Sequence, residues 1–336
     1  MNDLSVSSRL REEGTFLSAD GVHEIGYTVS FPSSSPKGII QLIHGMNECF
    51  ARYEESGFVS ALNDAGYVVC GNDHLGHGRS ADGDKTKGHF ENYAFLTEDA
   101  HSVTALIRKK YRFLPIILFG HSLGSFVIRD YLKKYRDEAD GAVLCGSVGT
   151  ESPVKVGLLL SGFLCLFGKK HPSRLMRGAM FSFLSAKLGQ KRKSALSWIN
   201  SDEEKTALLV GNPLYDFPLT AGAYREVFRL ISSVTGENVT GGEENEMTKS
   251  VQILLQSGED DPIGGMGNGI SDLYDEYFEY GIDRLEKILY PGCRHEIMND
   301  FQREKMIADL IAFSDSVVES VVNCRTLRGG GFTFER

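Results

Sequence analysis

The most constraining feature of this chain is a serine set between two glycines at the end of an apolar run. Residues 115–119 read Pro-Ile-Ile-Leu-Phe, and Gly120-His121-Ser122-Leu123-Gly124 follows without a break. A short apolar run bounded by turn residues is the pattern of a strand buried on both faces. Residues 122–135 are compatible with a helix, so the chain must turn from strand to helix at Ser122. In a G-x-S-x-G sequence that turn is sharp and its backbone strained. Glycines at the flanking positions remove side chains that would collide there. The serine hydroxyl then stands exposed at the corner, and the N-terminus of the new helix favours negative charge developing beside it. A strand of this kind needs helices over both faces of a mostly parallel sheet.

The rest of the chain meets that demand. Residues 13–19 and 23–31 read as two strands joined at Asp20-Gly21. Residues 38–43, 67–71 and 141–145 are further strand patterns, and 98–111 is helical with Val103, Leu106 and Ile107 on one side. From about 151 to 240 no strand pattern occurs, only apolar and basic segments with helical spacing. After the polar break Thr240-Gly241-Gly242-Glu243-Glu244, the alternation resumes with strands at 251–256 and 285–290 and helices at 270–280 and 296–321. The spacing predicts one α/β core, residues 1–150 and 241–325, interrupted by a helical insertion over 151–240. Residues 326–336, with Gly329-Gly330-Gly331, are expected to be disordered.

Composition narrows the function classes. A formal charge of −9 over 336 residues argues against nucleic-acid binding as a property of the whole chain. The six cysteines form no C-x-x-C pair, so neither a zinc ribbon nor a dithiol redox motif is indicated. The first fourteen residues are polar and charged and lack the apolar core of a signal peptide. No uncharged apolar stretch reaches the ~18 residues that suggest a membrane span. The expectation is a cytoplasmic protein.

A serine on such an elbow needs a base and an acid, in the chain order serine, acid, histidine of the α/β-hydrolase fold. Among the histidines only His171 and His295 follow Ser122, and only His295 also follows a good acid candidate. That acid should end the strand at 251–256, where Ser257-Gly258-Glu259-Asp260-Asp261-Pro262 offers three carboxylates. Asp261 is the first choice and Asp260 the fallback; spacing does not separate them. For an oxyanion, one donor should be the Leu123 N–H and the other an N–H from the loop His44-Gly45-Met46, with Met46 the candidate.

Other features read as structural. Asp73, His74, His77 and His89 lack a fixed ligand spacing, and Gly76 and Gly78 break the stretch, so no metal is expected. Trp198 with Phe181, Phe183 and Leu184 reads as the core of the insertion. The Gly-rich run at 264–269 follows the acid turn instead of opening the first βα unit, so no nucleotide cofactor is expected.

The motifs together resemble monoacylglycerol lipases and related lysophospholipases over about residues 14–320. His44-Gly45-Met46-Asn47-Glu48 with Arg52-Tyr53 looks like their H-G-x-x-E…R-Y segment. Asn72 to Ser80, the elbow, Gly258-Glu259-Asp260-Asp261 and His295-Glu296 match further segments of theirs. The resemblance implies Ser122, Asp261 and His295 as a catalytic triad, which favours Asp261 over Asp260. It implies Met46 and Leu123 as oxyanion donors, Glu48, Arg52 and His121 as substrate-binding residues, and a helical cap that forms an acyl pocket. Asn47 stands where Gly is common, Cys49 where His is, and Ser125 where Gly is; the first two lie near the expected head-group site.

The expected activity is hydrolysis of an acyl ester of a small polar alcohol, of monoacylglycerol or lysophospholipid type. An aminopeptidase or thioesterase on the same triad, or a non-catalytic small-molecule binder, are the alternatives. One partner is also expected. Residues 152–201 hold nine basic residues and no Asp or Glu, and the segment 154–167 is apolar on nearly every side. It is too short to span a bilayer but could dip into an anionic membrane surface. The competing expectation is that it lines the acyl pocket beside a solvated basic face.

Overall fold

The computed structural model describes residues 10–149, 154–241 and 246–328. Most of the polar break after Gly241 and the glycine tail from Gly329 lie outside the described residues. Eight strands form one sheet in the order β1-β2-β4-β3-β5-β6-β7-β8. They are β1 (Arg11–Leu17), β2 (Glu24–Ser30), β3 (Gly38–Ile43), β4 (Tyr67–Asn72), β5 (Ile116–His121), β6 (Gly141–Cys145), β7 (Gln252–Gly258) and β8 (Leu285–Tyr290). The first two pair antiparallel and β2 joins β4 antiparallel; β4, β3, β5, β6, β7 and β8 run parallel.

Every residue of β3 to β7 is buried, as two-sided coverage requires. Alternation across β5 shows why the run at its start must be apolar throughout. Ile116 and Leu118 enter one core, while Ile117 and Phe119 enter the other.

The helices before β6 are α1 (Phe50–Glu55), α2 (Phe58–Asp64), α3 (Gly83–Thr86), α4 (Ala94–Lys110) and α5 (Leu123–Lys134). Between β6 and β7 lie α6 (Val154–Cys165), α7 (Arg174–Ala186), α8 (Glu203–Ala207) and α9 (Ala221–Ser233). The last two are α10 (Asn268–Tyr280) and α11 (Arg303–Arg328). The helix expected from 296 thus starts later. Asp300 takes the N–H groups of Arg294, Ser201 and Phe301 on its carboxylate, and this local bonding competes with helix there. At its other end α11 continues through Arg328, so residues 326–328 are helical where disorder was expected.

The helix that follows Ser122 also holds the base of the insertion. Arg129, fully buried on α5, donates to the carbonyls of Val148 and Val234 on either side of it. Lys133, one turn on, donates to Ser233 O at 2.6 Å and Asn238 O at 2.8 Å. Both cations meet carbonyls at and just beyond the C-terminus of α9, where positive charge is favoured.

Candidate active site

Ser122 has φ 52° and ψ −117°, a conformation that L-residues rarely adopt. Its N–H donates to Cys145 O on β6 at 2.9 Å, which fixes the corner between β5 and α5. A Cβ at Gly124 would strike the Ile43 carbonyl, and one at Gly120 would strike Gly124, so neither position admits a side chain. Ser125, where Gly is common, is accommodated because its hydroxyl donates to Ser122 O at 2.6 Å.

The loops after β7 and β8 bring Asp261 and His295 together. His295 Nδ1 lies 2.9 Å from Asp261 Oδ2, and both side chains are buried. A carboxylate only accepts, so Nδ1 carries the proton and Nε2 is the basic nitrogen. Burial alone would raise the Asp261 carboxyl. Attraction to the His295 imidazole and its hydrogen bond, with the N–H groups of Ile263 and Gly264, overcome it and hold the carboxyl below its usual range. Gly146 makes room for the ring: a Cβ there would sit 2.9 Å from His295 Cε1. Asp260 points elsewhere and pairs with Lys191. The ambiguity that spacing left open is therefore resolved in geometry: Asp261 is the carboxylate beside His295.

On the other side of Ser122, the loop after β3 is built around Glu48. Its carboxylate accepts from Gly45 N–H at 2.7 Å, Tyr53 O–H at 2.7 Å and His121 Nδ1 at 3.2 Å. His121 Nε2 lies 3.3 Å from His295 O. Both partners only accept, so this setting favours the charged imidazole, in which both ring nitrogens donate. Burial opposes that charge, but Glu48 raises the His121 pKa and is itself held well below the usual carboxylate range. His121 thus ties the loop carrying Met46 to the loop carrying His295. Arg52 donates to both Glu296 oxygens at 2.7 Å. Glu48, Arg52 and His121 all line the pocket, but their polar atoms are largely turned on one another and their neighbours.

The pocket holds about 690 Å³ of empty space, its mouth included, and Ser122, His295 and Met46 line it. Leu123 follows Ser122 as the first residue of α5. Most of the remaining wall is apolar, with Phe181 and Leu184 from α7 and Trp198 from the loop beyond. Trp198 packs on Phe181 at 5.3 Å between ring centroids and on His295 at 5.2 Å. Of the residues read as insertion core, Phe181, Leu184 and Trp198 are both core and pocket wall, whereas Phe183 turns outward and is exposed. Arg177, Phe181 and Leu184 share a helical face, so their contribution to the wall could have been read from spacing. Asn47, singled out in sequence by standing where Gly is common, also lines the pocket.

The histidines near the first loop pack together with their rings tilted to one another. His44 and His74 rings lie 4.2 Å apart, and His77 lies 5.4 Å from His44. Each bonds a backbone group: His44 Nε2 accepts from His74 N–H, His74 Nε2 donates to His44 O and His77 Nδ1 donates to Leu75 O.

Comparison with known proteins agrees with this architecture. A family model described as serine aminopeptidase, S33, matches residues 34–302. A monoacylglycerol lipase of Mycolicibacterium smegmatis is 25% identical over 91% of this chain and 98% of its own. A phospholipase of Bacillus subtilis is 21% identical over 86% of this chain and 99% of its own. The crystal structure of a thermostable carboxyl esterase from Bacillus coagulans, in complex with glycerol, superposes with a TM-score of 0.83 and 26% identity, covering 92% of this chain and 99% of that one. Sheet order, elbow and matched span converge: the chain belongs to the serine aminopeptidase S33 family and is an α/β-hydrolase of the lipase and esterase type.

Proposed function

We propose that this enzyme hydrolyses acyl esters of a small polar alcohol, of monoacylglycerol or lysophospholipid type, through Ser122, His295 and Asp261. The observation that carries the reading is the buried Asp261–His295 pair opening, with Ser122, onto a largely apolar pocket. Ser122 Oγ attacks the ester carbonyl and His295 Nε2 takes its proton. The N–H groups of Met46 and Leu123 receive the developing oxyanion. His295 then protonates the departing alcohol and later activates the water that releases the acid. The helices between β6 and β7 act as a cap whose inner face, with Phe181, Leu184 and Trp198, takes the acyl chain.

The family description raises an aminopeptidase as the second reading. Such an enzyme needs a carboxylate for the substrate ammonium. The acidic residues lining this pocket are committed already: Glu48 to His121, Asp216 to Arg177 and Glu296 to Arg52. The apolar wall fits an acyl chain instead. A fluorophosphonate probe tests the mechanism: it should label the enzyme, and Ser122→Ala should abolish labelling. A panel of monoacylglycerols, p-nitrophenyl esters, acyl-CoAs and proline β-naphthylamide tests the class. Turnover of the naphthylamide alone, or no labelling of the folded enzyme, sinks the ester reading.

The cap also docks on a lipid surface that holds the substrate. No helix among the described residues is long and apolar enough to cross a membrane. Yet Leu159 and Phe163 of α6 are 76% and 56% exposed, Leu166 and Phe167 beyond it 80% and 71%, and Leu175 and Phe183 of α7 are exposed as well. The Phe163 and Phe167 rings lie 5.2 Å apart, and exposed apolar side chains in such number suit an interfacial site. The basic residues contribute less than their number suggests. Lys169 and Lys170 pair with Glu91, Arg177 with Asp216 and Lys191 with Asp260.

A further inference from the structure

Four residues lining the pocket carry a buried side-chain polar atom with no hydrogen-bond partner: Asn47 Oδ1, Arg177 Nε, Trp198 Nε1 and His295 Nε2. His295 Nε2 is taken by the proton of Ser122 in the proposed reaction. Arg177 stacks on Phe181 and pairs with Asp216, so its charge is already met. That leaves one acceptor, Asn47 Oδ1, and one neutral donor, Trp198 Nε1. Buried polar groups are almost always bonded, and an exception in a pocket wall points to a ligand atom.

Asn47 is held for this task. Its φ of 61° is a left-handed conformation that few residues other than glycine adopt, and Asn is among those that do. Its Nδ2 donates to Phe217 O at 2.6 Å. A carbonyl only accepts, so the amide cannot flip and Oδ1 must face away from Phe217. Asn47 follows Met46 directly, which puts this acceptor one residue from a proposed oxyanion donor. The neighbouring polar residues offer no comparable free atom: Glu48 Oε2 takes three hydrogen bonds and Arg52 forks onto Glu296.

We propose that Asn47 reads a free hydroxyl on the alcohol half of the ester, and so selects acyl esters of a polyol such as glycerol over esters of simple alcohols. The proposal rests on the ester-hydrolase reading above. A polyol hydroxyl donates to Asn47 Oδ1, and a second hydroxyl can accept from Trp198 Nε1. An ethyl ester leaves both atoms unmet.

The test compares a monoacylglycerol with the ethyl ester of the same acyl chain. Asn47→Gly removes the amide while glycine keeps the left-handed backbone without strain. The ratio of kcat/KM for the glycerol ester over the ethyl ester should fall about five- to tenfold, the worth of one neutral hydrogen bond, chiefly through KM. Trp198→Phe, which deletes the N–H, should lower the same ratio. Fluorophosphonate labelling rates, read alongside, report any damage to the elbow itself. Equal losses on both esters would make Asn47 a tie between loop and cap only, and kcat/KM unchanged on both would remove it from recognition altogether; either overturns the proposal. Wild-type enzyme that cleaves neither ester overturns the ester reading, and this inference with it. Wild type active with an unchanged ratio in Asn47→Gly overturns this inference alone.

Discussion

Two adjacent aspartates end the turn after β7, and only one touches the histidine. Asp261 is fully buried and bonds His295 Nδ1; Asp260 pairs with Lys191. If Asp261 fixes the tautomer in which Nε2 is basic, an amide there offers an N–H to Nδ1 and favours the wrong tautomer. Asp261→Asn should then lower kcat by about 10⁴-fold, as in a related triad, with folding retained. Asp260→Asn should stay near wild type. Steady-state kinetics on an ester decide it, and the opposite ranking would remove Asp261 as the acid. Serine, histidine and the acid turn were legible in sequence because each lies in a short local segment and their chain order is fixed by the fold. Spacing did not separate the two aspartates, because neighbouring residues on one turn point in different directions; the resemblance alone favoured Asp261. Asn47 stood out through the resemblance, but its bond to Phe217 was not legible, because it spans 170 residues.

The helices between β6 and β7 do two jobs with two faces. On α7, Phe181 and Leu184 are buried against Trp198, while Leu175 and Phe183 face outward. On α6, Gly157 and Ser161 are buried and Leu159 and Phe163 are exposed. Gly157 lets α6 approach α9 closely, since a Cβ there would meet the Phe228 ring at 2.5 Å. The near-uniform hydrophobicity of this stretch hid which side was inward, which is why sequence alone left pocket lining and membrane contact as rivals. If the outer face enters lipid, Leu159→Glu with Phe163→Glu should abolish co-sedimentation with liposomes while the enzyme still takes the fluorophosphonate. Binding by the wild type should favour anionic vesicles modestly and weaken with salt. Unchanged sedimentation of the double variant would overturn the lipid-docking role, since no residue of α6 lines the pocket. Short elements were the least legible. α1 and α2, six and seven residues long, are too brief to show a period, yet α1 carries Arg52 and Tyr53 into the network around Glu48.

The stability of the whole molecule should record the cluster of His44, His74 and His77 as a dependence on pH. Burial, with the neighbouring ring of His44, pushes His77 down to about 3, and His44 and His74 are depressed as well, burial again the leading cause. In the unfolded chain each takes a proton near 6.5. Between about 6.5 and 3 the unfolded state therefore binds more protons than the folded one, and acid favours unfolding. The stability from these neutral rings is present above 6.5 and is lost as pH falls toward the folded values. Asp99 works the other way. Burial raises it to about 6, so the fold binds its proton first and gains relative stability as pH drops from 6. Three depressed imidazoles against this raised carboxyl leave a net loss on acidification from this set. His77 isolates one share of it. Its Nδ1 donates to Leu75 O, which an Asn amide can imitate, and its Nε2 has no partner to lose. His77→Asn will also lose packing against Phe217, whose ring lies 5.5 Å away, but that offset does not depend on pH. The readout is the slope. Denaturation free energies measured from pH 6 to 4.5 should fall less steeply in His77→Asn, by about 1.4 kcal/mol per pH unit for one proton. Parallel slopes for variant and wild type would mean that His77 takes its proton in the folded state at its ordinary pH.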